Sequence, residues 1–129
     1  VGAHLAMKVA KATTPGTTKL VLWACASRPI DHRPANLSHN KKIKVLVLNG
    51  SEDKSILQLS FQQQQDFRSI LPKDTTNLTS YKTIPGANHN GFGHYEKPKN
   101  WKRDGVRTIT LDEQQRIAVE ETANFLKGV

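Results

Sequence analysis

Several things are scarce in this chain. One cysteine, Cys25, in 129 residues excludes an internal disulfide framework and any Cys-rich zinc site. Aromatic residues are 6% of the total and accompany no known nucleic-acid-binding motif. No apolar run reaches the about 18 residues that a membrane-spanning helix requires. At Val1 there is no basic stretch followed by an apolar one, so no secretory signal is legible there.

Hydrophobic residues make up 36% and charged ones 23%, with 8 glycines and 6 prolines, which describes one small globular domain. The 19 Lys and Arg outnumber the 11 Asp and Glu, for a net charge of +8. The cations fall in small groups: Lys8 and Lys11; Lys41, Lys42 and Lys44; Lys97, Lys99, Lys102 and Arg103. Scattered surface charge of this kind predicts no specific nucleic-acid partner, only adsorption to acidic polymers at low salt.

Val1–Thr13 reads as a helix that is apolar around most of its circumference, with His4, Lys8 and Lys11 as a narrow polar stripe. That pattern predicts burial on nearly all sides. No cap residue stands in front of it, and the expectation is a chain whose beginning lies upstream. Lys19–Cys25 and Ile43–Leu48 are continuous apolar runs of strand length, as suits central parallel strands covered on both faces. Ser27–Asn40 is polar, contains Pro29 and Pro34, and reads as loop.

After the turn cluster Asn49-Gly50-Ser51-Glu52-Asp53, a helix is predicted over Ile56–Leu71, with Ile56, Leu59, Phe67 and Ile70 on its core face. Thr79–Ile84 is a more polar, edge-like strand. A long loop, Pro85–Ile109, leads to a final helix over Thr110–Lys127. Thr110 and Glu113 form a capping-box signal at its start, Ile117, Ala118, Phe125 and Leu126 are its core face, and Gly128 ends it. The alternation predicts an α/β domain spanning residues 1–129: a partial doubly wound sheet of three parallel strands with helices on both faces.

In open α/β sheets, chemistry gathers beyond the carboxyl ends of the strands. Asp53 follows the second strand and His89 follows the third, in Pro85-Gly86-Ala87-Asn88-His89-Asn90-Gly91-Phe92-Gly93. A carboxylate that accepts the Nδ1–H of an imidazole orients it and stabilises its cation, and the imidazole then serves as general base. Other readings stay open at this point. Asp53 could cap the helix that starts near Ser55, and His89 could be a loop histidine packed near Phe92. Cys25 suits a small core residue, Ser51 a turn, and Ser27 the wall of a pocket. His4 belongs to a solvated stripe. His32 and His39 lack further ligands, and His94 beside His89 lacks a third, so neither metal nor cofactor is expected.

The order and spacing of these pieces resemble the C-terminal half of an α/β-hydrolase of the dienelactone-hydrolase-like kind. Val1-Gly2-Ala3-His4-Leu5-Ala6 resembles the end of the G-x-S-x-G nucleophile elbow and its helix. Leu20–Ala26 resembles the next strand, and Val45–Asp53 the strand and turn that present the triad acid. Ile84–Gly93 resembles the histidine loop, and Thr108–Leu126 the closing helix. The resemblance implies a serine hydrolase of esters or related acyl compounds, with His89 as base, Asp53 as orienting acid and a small-molecule acyl substrate. It puts the nucleophilic serine directly upstream of Val1, so that the Val1 backbone N–H would serve the oxyanion hole. It also implies that residues 1–129 alone are inactive, and that the open sheet edge left by upstream strands could pair two copies into a homodimer. Two alternatives are a non-catalytic α/β domain with a binding role and, less favoured by the pattern, a basic nucleic-acid-binding module.

Overall fold

The computed structural model describes residues 2–12, 16, 18–25, 35–73, 78–93 and 103–128, with Gly2, Ala3 and His4 described by backbone alone. Three parallel strands, β1 (Lys19–Trp23), β2 (Lys44–Gly50) and β3 (Thr79–Ile84), lie in the order β1-β2-β3. The expected parallel α/β arrangement with a central second strand is therefore present.

Side chains alternate across the sheet with the period of two that pleating imposes. Leu20 and Leu22 pair in register with Val45 and Val47, and these four share one face. There they pack with Met7 and Ala10 of α1 (Gly2–Ala12), with Phe67 of α3 (Phe61–Arg68), and with Leu37, Ile43, Ile70 and Leu71. On the opposite face Leu48 and Ile84 pack with Ala87 and with Ala118 of α4 (Leu111–Lys127), while Phe92, Ile109 and Ile117 close over them. β1 is also tied to α4. Trp23 Nε1 donates to Thr122 Oγ1 at 3.0 Å, and Lys19 Nζ donates to the carbonyls of Phe125 and Leu126 at 3.1 and 2.8 Å. A cation at the terminal carbonyls of a helix complements the negative end of its dipole.

The structure corrects several expectations. The helix read over Ile56–Leu71 is two helices, a short α2 (Lys54–Leu57) and then α3. Ser60 stops continuity by forming its own capping box: its hydroxyl accepts from Gln63 N while the Gln63 side chain accepts from Ser60 N. Phe67 and Ile70 are buried as expected, whereas Ile56 and Leu59 are only half-buried. α1 is not buried all round. Leu5 and Val9 are more than half exposed, because the helix rests on β1 and buries only the face bearing Met7 and Ala10. The first strand stops at Trp23, two residues early, where Ala24 turns to a φ of 53°. Its N–H still reaches the Leu48 carbonyl, and Cys25 enters the core cluster. The second strand runs two residues further than expected, to Gly50, because Asn49 and Gly50 pair with Thr83 and Ile84. In α4, Leu126 is exposed instead of core, and Gln114 is fully buried in its place. Thr110 caps α4 by accepting from Glu113 N, but the Glu113 carboxylate turns to Arg116 instead of completing the box.

Candidate active site

β2 and β3 are adjacent and parallel, so the segments that leave their carboxyl ends emerge side by side. The two segments are stitched together. Ser51 N donates to the Ile84 carbonyl, Glu52 N to the Ala87 carbonyl at 2.8 Å, and Gly86 N to Ser51 Oγ at 2.8 Å. Gly50 sits so close to Ala87 that a Cβ there would overlap the Ala87 carbonyl oxygen. Ser51 is thus a turn residue, as expected, and its hydroxyl also links the acid turn to the histidine loop.

This stitching brings Asp53 to His89. Asp53 Oδ2 lies 2.8 Å from His89 Nδ1. The carboxylate is fully buried, and the imidazole is 37% exposed. Asp53 also caps α2, since its Oδ1 accepts from Ser55 N at 2.9 Å and from Ser55 Oγ at 2.5 Å. Capping and contact with histidine, read from the sequence as alternatives, are the work of the two oxygens of one carboxylate. The cap fixes the carboxylate's orientation, so that its second oxygen is aimed at the ring. Ser55 Oγ stands 3.2 Å from the same Nδ1. It therefore backs the side of the ring that Asp53 already occupies.

The bond from Asp53 is the main cause that raises the His89 pKa above its ordinary 6.5. The negative charges of Asp53 and Asp104 add to it, and partial burial of the ring opposes it. An imidazole held this way is a stronger base whose protonated form is already matched by a buried anion. Phe92, the alternative neighbour considered for His89, places its ring against Trp23, with centroids 5.8 Å apart.

Three residues that sequence reasoning missed hold the histidine loop. Asp104 accepts from His89 N and Asn90 N. Gln114 makes a paired contact with one residue, accepting from Asn88 N at 3.2 Å and donating to the Asn88 carbonyl at 2.9 Å. Asn88 Oδ1 accepts from Gly91 N at 2.9 Å, which shapes the 3-10 turn Asn90–Phe92. The one available signal was Gln114 standing in the apolar register of α4, between Leu111 and Ile117–Ala118.

Val1, Ser27, His32 and His94 lie outside the described residues, as does much of the loop Ser27–Asn40. His39 is exposed. Among the described residues no group of three His, Cys, Asp or Glu side chains is placed to hold a metal ion, and no helix is long and apolar enough to cross a membrane. Comparison with protein-family models, with curated proteins and with solved structures finds no match to the chain.

Proposed function

We propose that Asp53 and His89 are the orienting acid and the general base of a serine hydrolase acting on esters or related acyl compounds, with the α/β-hydrolase resemblance supplying the reaction type. The observation that carries this reading is the 2.8 Å contact between a fully buried carboxylate and Nδ1 of a partly exposed imidazole at the carboxyl ends of adjacent parallel strands. Asp53 accepts the Nδ1–H, which leaves Nε2 to take a proton from the attacking hydroxyl and later return it to the leaving group. Water then releases the acyl enzyme, with His89 again as base. Ser55 does not suit the role of nucleophile, because its hydroxyl is engaged with Asp53 on the Nδ1 side. By the elbow pattern the nucleophile is a serine directly preceding Val1.

Hydrolysis of p-nitrophenyl acetate tests this. Residues 1–129 alone are expected to give no turnover beyond that of Asp53→Ala and His89→Ala. A longer chain in which Gly-Xaa-Ser directly precedes Val1 is expected to hydrolyse the ester and to lose about 10⁴-fold or more in kcat on His89→Ala. An upstream sequence with no nucleophile before Val1, or turnover in the extended chain that neither substitution lowers, would overturn the reading.

A further inference from the structure

We propose that Asp104 is a positioning residue for His89, acting from a segment, residues 103–108, that clasps the acid turn and the histidine loop together. This deepens the dyad reading above. Its test reads the ring itself and not turnover, so either can fail while the other stands.

His89 opens the 3-10 turn Asn90–Phe92, and its side chain makes no cap bond to that turn. At the start of a helical turn the first amides lack partners within the turn, and the side chain at the cap position commonly satisfies one of them. Here that side chain is committed to Asp53. Asp104 supplies the missing acceptor from fifteen residues further on. Its Oδ2 accepts from Asn90 N at 2.8 Å, and its Oδ1 from His89 N at 3.2 Å and from Gly105 N at 2.7 Å. One carboxylate thus holds two successive amides of the loop by charge-assisted bonds. It fixes the backbone from which the imidazole projects.

The rest of the segment fastens Asp104 in place. The Gly105 carbonyl accepts from Asn88 Nδ2 at 2.9 Å, and Thr108 N donates to the Gly86 carbonyl at 2.9 Å. On its other side Gly105 meets the acid turn so closely that a Cβ would overlap the Glu52 carbonyl oxygen. The segment therefore touches the residue before Asp53 and the residues on both sides of His89. Among the described residues, the charged groups acting on the ring are Asp53 in direct contact and Asp104 through space, and both favour the imidazolium. A second carboxylate that never touches Nδ1 or Nε2 stabilises the cation formed in proton transfer, and leaves Nε2 clear of it.

The experiment is an NMR titration of the His89 ring in residues 1–129, compared among wild type, Asp104→Asn and Asp53→Asn. Asp104→Asn is expected to stay folded, to lower the His89 midpoint by less than Asp53→Asn does, and to speed exchange of the His89 and Asn90 amides. A folded Asp104→Asn protein with the wild-type midpoint and wild-type exchange would overturn the proposal. If that variant does not fold, the wild-type protein decides. The amide protons of His89, Asn90 and Gly105, which all donate to the Asp104 carboxylate, are expected to exchange together and far more slowly than unbonded amides. Fast exchange at His89 and Asn90 would overturn it.

Discussion

The two faces of the sheet are held in different ways. The face under α1 and α3 is a continuous hydrophobic core that, among the described residues, counts thirteen buried members from Met7 to Leu71. The face under α4 buries four hydrophobic residues among those described, and the loops beside it rely on polar bonds: Gln114 to Asn88, Asp104 to His89 and Asn90, Ser51 to Gly86. Apolar packing tolerates small shifts because it has no preferred direction, whereas hydrogen bonds fix distance and angle. The molecule puts its stability on one face and its precision on the other, and His89 belongs to the second.

Substitutions on each face sharpen that contrast. The largest loss is expected from Leu37→Ala, which empties a fully buried position on the face under α1 and α3. About 2–5 kcal/mol of stability should go, read by urea denaturation, with little change in the His89 ring signal. Gln114→Leu keeps the bulk on the other face but strands the Asn88 N–H and carbonyl. It is expected to cost about 1–3 kcal/mol and to disturb the Asn88 and His89 NMR signals far more than Leu37→Ala does. If the two variants disturbed the ring equally, the division of labour between the faces would be wrong.

A smaller effect is expected from pH. Because the folded-state pKa of His89 is raised, its pairing with Asp53 adds stability that is fully present below the unfolded value of 6.5 and is lost as pH rises through the folded value. Asp53→Asn keeps the cap on α2, since Asn is as good an N-cap as Asp, and should flatten stability against pH across that window. The smallest effect should come from Lys82→Ala. The Lys82–Glu121 pair is short at 2.7 Å, but its side chains are 54% and 33% exposed, so about 0–1 kcal/mol is expected, and less at high salt.

Two of the strands carried a strong local signal, whereas the contact of Asp53 with His89 was expected chiefly from the order and spacing of the pieces that resemble an α/β-hydrolase. Continuous apolar runs marked β1 and β2, and both dyad residues fall in turn segments just beyond strands, where α/β sheets place chemistry. The break at Ser60 was missed because Ile56, Leu59, Phe67 and Ile70 imitate one helical face across it; the Ser60–Gln63 capping box was the contrary signal. The exposure of Leu5 and Val9 was not legible, since an apolar helix shows its composition but not how much sheet lies beneath it. Asp104 was out of reach for a different reason. Its bonds go to backbone amides, which every residue has, so no pairing of side-chain types announces them.

In the proposed mechanism Asp53 holds the His89 ring so that Nε2 is the proton-accepting atom. Nitrogen-15 NMR of the imidazole, recorded above the His89 midpoint, tests it most directly. The neutral ring is expected to carry its proton on Nδ1, with a low-field proton signal that disappears in Asp53→Ala. A neutral ring protonated on Nε2 and indifferent to Asp53→Ala would contradict the account.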